Sequence, residues 1–144
     1  MINIENVTRP KGFAPFRNIK RYYHEKYVEQ FLIASLKEGL IDDFESEYRL
    51  YIQTAFAKKQ VFLDFVIKKG NSIGFIEVDG PQHFKYIEQF HKNGISDFIK
   101  QQNRDKIVNK FCLEHGKLLR LPTTLEDNKV DKKLKLFINT LCED

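Results

Sequence analysis

Three carboxylates interrupt two strand-like runs of apolar residues. Asp64 lies in the run from 62 to 67, and Glu77 and Asp79 lie in the run from 73 to 79. Their neighbours are mostly β-branched or aromatic, as in strands buried within a sheet. Buried carboxylates are costly unless they are paired or bind a metal. We therefore interpret the three acids, with His83 close behind them, as a hard-cation site of the kind used in hydrolysis.

A solvent-exposed strand face is the alternative explanation for these acids. Glu77 and Asp79 are two residues apart in sequence, so they would point to the same side of a strand. Exposure explains one such acid more readily than all three, because both runs are apolar on either side of the acids.

Four elements are predicted around the acids in the first half of the chain. Apolar residues at helical spacing predict a helix from Tyr23 to Lys37. Alternating apolar residues predict a strand over 45–54, and strands over 62–67 and 73–79 follow. Lys58-Lys59-Gln60 is expected to form the turn that leads into the strand bearing Asp64.

The second half is predicted to alternate helix, strand and helix. Ser96 is expected to cap a helix that ends at Gly116, followed by a strand over 117–121 and a closing amphipathic helix. The side chains expected to face inward from the middle helix are Phe98, Ile99, Ile107, Val108, Phe111 and Cys112. The order α-β-β-β-α-β-α predicts an α/β fold with a mixed four-stranded sheet flanked by helices.

The composition is that of one folded domain. The 144 residues are 42% hydrophobic and 13% aromatic, and they contain no apolar run near the roughly 18 residues that a membrane span needs. A soluble, intracellular protein without a membrane partner is expected. Cys112 and Cys142 are read as buried apolar thiols, and His24, His91 and His115 as surface residues. The acids expected to be solvent-exposed are Asp42, Asp43, Glu45 and Glu47.

The N-terminal segment carries the whole excess of positive charge. Residues 1–28 hold six cations and two acids, which equals the net charge of +4 of the chain. Aromatic residues lie among these cations, a mixture suited to phosphate contacts and base stacking. We predict that residues 1–22 form an arm that contacts DNA, with a solvated tail as the alternative. The predicted DNA-binding residues are Arg9, Lys11, Arg17, Lys20, Arg21 and, further along the chain, Arg104.

The motifs and their order resemble the PD-(D/E)XK nuclease superfamily. Asp64 followed by Glu77-Val78-Asp79 is similar to its signature, although Asp79 stands where the signature has lysine. Within the superfamily, the branch of very-short-patch-repair endonucleases and E-D-x-H-D homing endonucleases is the most similar. The segments that carry this similarity are Asp79-Gly80-Pro81-Gln82-His83, Arg104-Asp105 and Gly116-Lys117-Leu118-Leu119-Arg120.

The resemblance implies a restriction-endonuclease-like domain over 23–144 and a metal site within it. Mg²⁺, or Mn²⁺, would be held by Asp64, Glu77 and the Val78 backbone carbonyl. Glu29 on the first helix would hold a metal-bound water, and Glu25 one turn earlier is the alternative for that role.

The resemblance also suggests roles for the remaining candidates. His83, alone or coupled to Asp79, would activate water, and Asp105 would orient His83 or bind a second metal. Arg104 would steady the phosphate. Structural alternatives stay open, since His83 could merely cap a turn and Asp105 could be a solvated helix residue.

The predicted function is that of a magnesium-dependent endonuclease acting on double-stranded DNA. One active site would nick a duplex, whereas a double-strand break would need a homodimer or two successive events. Homing, mismatch-linked nicking, restriction and phage competition all fit, with the cytoplasm of a bacterial or phage setting as the expected location. The alternatives are a catalytically inactive DNA-binding or assembly module on the same fold, favoured by Asp79 in the lysine position, and an RNA-directed nuclease.

Overall fold

The computed structural model describes residues 19–53, 58–80, 87–88 and 91–141. The predicted base His83 and most of the predicted arm, including Arg9, Lys11 and Arg17, lie outside these ranges, as does Cys142. The predictions made for those residues therefore stay predictions.

The described chain forms an α/β fold in the predicted order α-β-β-β-α-β-α. Its elements are α1 Ile19–Lys37, β1 Asp43–Gln53, β2 Lys58–Lys69, β3 Ser72–Asp79, α2 Ile95–His115, β4 Lys117–Pro122 and α3 Asp127–Thr140. The strands form one mixed sheet in the order β1-β2-β3-β4. Strand β2 pairs antiparallel with both β1 and β3, and β4 pairs parallel with β3. Within the described ranges, no helix combines the length and the apolar character needed to cross a membrane.

Two hydrophobic cores lie against the sheet. The first core joins α1 and α3 to the sheet and includes Tyr27, Leu32, Ile67, Ile76, Val78, Leu134 and Ile138. The second core joins α2 to the sheet and consists of Leu50, Ile52, Val61, Leu63, Phe75, Val108 and Cys112. Because successive residues of β3 alternate between these cores, the face that buries Phe75 toward α2 is also the face to which Glu77 and Asp79 belong.

The side chains at the odd-numbered positions of β2 pack in the second core before Asp64 and in the first core after it. Strict alternation would place Leu63 and Phe65 in the same core, yet Leu63 packs in the second core and Phe65 in the first. The pairing of β1 with β2 is interrupted at the same place, between the pairs Ser46–Phe65 and Tyr48–Leu63. Glu47, at the interruption, has a positive φ of 51°, a conformation that is strained for a residue other than glycine. The local irregularity therefore surrounds the first candidate carboxylate.

Helix α3 is tied to α1 by two hydrogen bonds one helical turn apart. The Tyr27 hydroxyl donates to Asp131 Oδ1 at 2.7 Å, and the Tyr23 hydroxyl donates to Asp127 Oδ2 at 3.4 Å. Burial and the Asp131 carboxylate raise the pKa of Tyr27. Tyr27 therefore keeps its proton and remains a donor to α3.

Several predicted details were wrong. Lys58-Lys59-Gln60 is not a turn but the start of β2, paired with residues 51–53 of β1. The residue that precedes α2 is Gly94 rather than Ser96, and Ile99 is 50% exposed instead of facing inward. Helix α1 begins at Ile19, so its first turn includes Lys20 and Arg21 of the predicted arm.

The predicted end of α2 at Gly116 is confirmed, and it requires glycine because of a close approach. The Gly116 N–H donates to the Cys112 carbonyl at 2.8 Å. A Cβ at this position would collide with the backbone carbonyl of Ile73. The absence of a side chain thus lets the chain pass from α2 into β4 directly beside β3.

Candidate functional site

Asp64 and Glu77 hold each other's strands through reciprocal hydrogen bonds. The Val78 N–H donates to Asp64 Oδ2 at 2.7 Å, and the Asp64 N–H donates to Glu77 Oε1 at 2.9 Å. The backbone pairing of β2 with β3 runs only as far as Phe65 opposite Ile76. Beyond this pair, two backbone donors bond to carboxylates. The two predicted metal ligands are therefore adjacent and are oriented by the backbone.

Burial disfavours the ionised form of the Glu77 carboxyl group. Glu77 is only 4% exposed. Burial raises its pKa to about 8, and the charges of Asp64 and Asp79 add to the rise, while the Asp64 N–H and Arg120 oppose it. A cation close to Asp64 and Glu77 would favour the ionised form.

Cys112 lies near Glu77 but offers no thiolate. Burial raises the pKa of this thiol to about 12, and the Glu77 carboxylate contributes to the shift. The prediction of a buried apolar thiol is confirmed for Cys112. Cysteine chemistry is therefore not available at this position.

Asp79 forms a buried ion pair with Arg120 of β4. Arg120 Nη1 lies 2.9 Å from Asp79 Oδ1 and 3.0 Å from Asp79 Oδ2. The Asp79 side chain is 2% exposed and that of Arg120 is 21% exposed. Burial alone would lower the pKa of Arg120, but the carboxylates around it, Asp79 foremost, raise it instead. The structure thus gives Asp79 a cationic partner, and the predicted partner His83 lies outside the described residues.

Arg120 also connects the sheet to α2. Its Nε donates to Asn109 Oδ1 at 2.8 Å, and its Nη2 lies 3.9 Å from Asp105 Oδ1. The same carboxylate oxygen lies 3.6 Å from Nη1 of Arg104. Asp105 is therefore not simply a solvated helix residue, because it lies between two guanidinium groups and its side chain is 16% exposed.

Sequence reasoning assigned no role to Arg120, although a signal for it was present. It is a charged residue in the short apolar segment from Leu118 to Leu121, the same kind of interruption that singled out the acids. Its partner Asn109 had no comparable signal, because polar residues are ordinary on a helix surface.

A cleft of about 830 Å³ lies between α1, β2 and α2. Its lining includes four predicted site residues, namely Glu25, Glu29, Asp64 and Arg104. Residues 60–65 of β2 form one wall and the first turns of α1 form another. Glu77, Asp79 and Asp105 are outside this lining, so Asp64 is the residue that joins the cleft to the buried acids.

The two glutamates proposed for the first helix both line this cleft. Glu29 Oε2 lies 3.3 Å from Lys26 Nζ, a contact between two partly exposed side chains. Glu25 is partly buried one turn earlier. Both alternatives for the role predicted on this helix, Glu29 and Glu25, therefore lie at the cleft.

Arg104 reaches from α2 to the other wall of the cleft. Its Nη2 donates to the Phe62 carbonyl at 3.4 Å, and its side chain is 38% exposed. A guanidinium group in this position leaves a positive charge at the border of the cleft, as the phosphate-binding prediction requires.

Two of the three histidines expected at the surface are buried. His24 is 9% exposed and His91 is 2% exposed, whereas His115 is exposed as predicted. The His91 Nδ1 accepts from the Ile87 N–H at 2.9 Å, which leaves Nε2 as the donor to Gln101 Oε1 at 3.0 Å. His91 is thus a satisfied structural residue. The four acids from Asp42 to Glu47 are exposed, as predicted.

The oxygen donors at Asp64 and Glu77 suit a hard cation. The described residues contain no group of three or more His, Cys, Asp or Glu side chains arranged to hold a metal ion. The proposed site has only two such side chains, because its third protein ligand is a backbone carbonyl. Magnesium sites of this kind take their remaining ligands from water and substrate. A divalent cation would also offset the repulsion between the clustered acids.

The raised pKa of Glu77 predicts a pH-dependent stability of the metal-free protein. Glu77 stays protonated in the folded state up to about pH 8, while its ordinary pKa is 4.5. The folded state therefore binds more protons between these values, and the free energy of unfolding falls as the pH rises, by at most about 1.4 kcal/mol per unit. In Glu77→Gln, the amide oxygen can still accept from the Asp64 N–H, but the side chain no longer titrates. Between pH 6 and pH 8, we expect the free energy of unfolding of this variant to fall by about 2 kcal/mol less than that of the wild type.

Urea unfolding in a chelator at pH 6, 7 and 8 measures this difference. Glu114→Gln, an exposed residue of α2, is the control and should keep the wild-type pH dependence. Equal pH dependence in wild type and Glu77→Gln would contradict the prediction.

Comparisons with known proteins give short matches. No protein-family model matches the chain. Over 53 residues, 36% of the chain, it is 42% identical to the uncharacterized protein 094L of Frog virus 3 (isolate Goorha), and this match covers 34% of that protein. Over 53 residues it is also 38% identical to the uncharacterized protein 307L of Invertebrate iridescent virus 6, of which the match covers 26%. The matches thus span about a third or less of these viral relatives.

Among solved structures, the crystal structure of protein VC1899 from Vibrio cholerae is similar to 84% of this chain and covers 29% of that chain. The two are 14% identical, with a TM-score of 0.44.

Proposed function

We propose that this protein is a metal-dependent DNA endonuclease of the PD-(D/E)XK type. The observation that carries the proposal is the reciprocal link between Asp64 and Glu77, formed where the pairing of β2 and β3 ends. The link holds two carboxylates of neighbouring strands side by side, and one of them lines a cleft that also contains a guanidinium group.

The metal in this proposal is Mg²⁺, with Mn²⁺ as an equally suitable ion. Asp64, Glu77 and the backbone carbonyl of Val78 would hold it. When bound, the ion would stabilise negative charge on the phosphate and lower the pKa of a bound water. Glu29, or Glu25, lines the same cleft and would orient the attacking water.

In the proposed hydrolysis, a water oxygen forms a new bond to phosphorus while the bond from phosphorus to the leaving sugar oxygen breaks. The proton lost by the water passes to the base, and the leaving oxygen takes up a proton from a second water molecule. His83 is the proposed base. Arg104 would contact the phosphate from the border of the cleft.

The Asp79–Arg120 pair favours a second candidate function. Arg120 supplies the charge that balances Asp79. A structural ion pair therefore explains why an acid stands in the signature's lysine position, and no catalytic role is needed. A DNA-binding or assembly module that retains the nuclease fold would have such a pair. Its distinguishing property would be DNA binding without cleavage.

The proposal implies an intracellular site of action, because the proposed substrate is duplex DNA. One protomer would nick one strand, and a homodimer would be needed for concerted cleavage of both strands.

Supercoiled plasmid tests the proposal directly. We expect the purified protein to convert it to nicked or linear DNA in magnesium or manganese and to leave it intact in a chelator. Asp64→Ala should remove the activity. If wild type is inert on duplex, single-stranded and mismatched DNA in both metals but still binds DNA, the binding module is the correct function. Cleavage of RNA alone would support an RNA-directed nuclease instead.

A further inference from the structure

The ribbon formed by β1 and β2 beyond Asp64 has one buried face and one exposed face. Leu50, Ile52, Val61 and Leu63 pack into the second core. The register pairs Arg49 with Phe62 and Tyr51 with Gln60, and these residues occupy the opposite face together with Lys58. All five are exposed. We call these residues the ribbon strip: Arg49, Tyr51, Lys58, Gln60 and Phe62.

The ribbon strip combines two cations with two exposed aromatic rings. The guanidinium carbon of Arg49 lies 5.6 Å from the centroid of the Phe62 ring, and Lys58 Nζ lies 5.2 Å from that of Tyr51. The rings are 48% and 51% exposed, respectively. Cation–π contacts of this kind hold each cation over a ring at the surface. The strip contains no acid, so its charge is complementary to a polyanion.

The strip continues directly into the candidate site. Gln60 and Phe62 line the cleft together with Asp64. Arg104 donates to the Phe62 carbonyl and adds a third cation at the boundary between strip and cleft. From Lys58 to Phe62, β2 extends about 13 Å, which equals about four base-pair steps of duplex DNA. A nucleic acid backbone lying on the strip would therefore lead to Asp64.

We propose that the ribbon strip binds the DNA backbone on one side of the cleaved bond. Arg49 and Lys58 contact phosphates, and the rings of Tyr51 and Phe62 hold these cations toward the duplex and pack against its sugars. This inference rests on the proposed function in that DNA is the substrate, but it concerns binding alone. It gives the folded domain a DNA contact independent of the N-terminal arm.

Binding of a fluorescent 24-bp duplex, followed by anisotropy in a chelator, tests the strip. The double variant Arg49→Gln/Lys58→Gln should bind about tenfold more weakly near 100 mM salt. The slope of log affinity against log salt is negative, and it should become less steep by about 2 in magnitude, since each phosphate contact contributes about 0.9. The matched control is Lys132→Gln/Lys133→Gln, which removes two exposed lysines of α3 outside the strip and the cleft. It should bind with wild-type affinity and salt slope.

The outcomes separate this inference from the proposed function. Equal affinity and slope in the strip variant, the control and wild type would overturn the strip even if wild type cleaves plasmid. Weaker binding in the strip variant alone would support it, whether or not wild type cleaves. An equal loss in the α3 control would overturn it by showing only a general charge effect. Failure of wild type to bind the duplex in the chelator would overturn the strip, whereas the proposed function is decided by plasmid cleavage in metal. Urea midpoints equal to wild type would establish that both double variants are folded.

Discussion

Replacing Asp64 with asparagine should lower the rate of metal-dependent plasmid cleavage by about a thousandfold or more. The lost carboxylate is the proposed metal ligand that lines the cleft. A catalytic metal lowers the activation free energy by several kcal/mol, and about 1.36 kcal/mol corresponds to a factor of ten in rate. Asparagine retains a side-chain oxygen that can accept from the Val78 N–H, as Asp64 Oδ2 does. The strand link should therefore survive while the charge is lost. Single-turnover cleavage of supercoiled plasmid measures the effect.

Asp42→Asn is the matched control for this substitution. Asp42 is exposed, and its Oδ2 likewise accepts a backbone N–H, that of Gly70 at 2.6 Å. Because Asp42 lies outside the cleft lining, this variant should cleave within about twofold of wild type. Asp64→Asn should also bind duplex DNA like wild type in a chelator. Cleavage at the wild-type rate by Asp64→Asn would mean that the proposed site is wrong.

Replacing Arg120 with methionine should lower the free energy of unfolding by about 3–5 kcal/mol. Asp79 is 2% exposed, and both its oxygens contact Arg120 Nη1. Without the guanidinium group, the Asp79 carboxylate would be left buried without this compensating charge. The loss should appear as a lower urea midpoint with little change in the denaturant slope.

A second substitution distinguishes the loss of charge from the loss of packing. In Asp79→Leu/Arg120→Met both charges are absent, and stability should recover most of the lost free energy, because an apolar pair can replace a buried ion pair. Arg104→Met is the control, since it removes a more exposed guanidinium group 3.6 Å from Asp105. It should cost less than about 1 kcal/mol. A single Arg120→Met variant as stable as wild type would show that the pair contributes nothing to folding.

The order of the elements and the adjacency of Asp64 and Glu77 could be predicted because their signals are local. Helical spacing, strand alternation and the glycine after α2 each lie within or directly beside the element that they identify. Asp64 and Glu77 stand out against β-branched and aromatic neighbours in the same short run. Their adjacency follows once the two strands are paired as a hairpin.

The remaining features depend on long-range pairing or on the other face of a strand. Asp79 and Arg120 are 41 residues apart and meet only because β4 lies parallel to β3 in one register. Lys58-Lys59-Gln60 resembled a turn because the run is polar throughout, but Lys58 and Gln60 lie on the exposed side of a ribbon. His91 is buried and hydrogen-bonded to Ile87 and to Gln101 of α2, an arrangement that follows no periodic pattern.

The link between α1 and α3 has a consequence for how far this domain can be shortened. A chain that stopped at Pro122 would retain all four strands and the candidate residues from Glu25 to Arg120. It would lack Asp127 and Asp131, which accept from Tyr23 and Tyr27 on the helix that bears Glu25 and Glu29, and the α3 side chains of the first core. Helix α3 carries no proposed reactive group, yet it anchors the wall of the cleft opposite β2. The smallest unit that keeps this wall in place therefore extends beyond the last candidate residue.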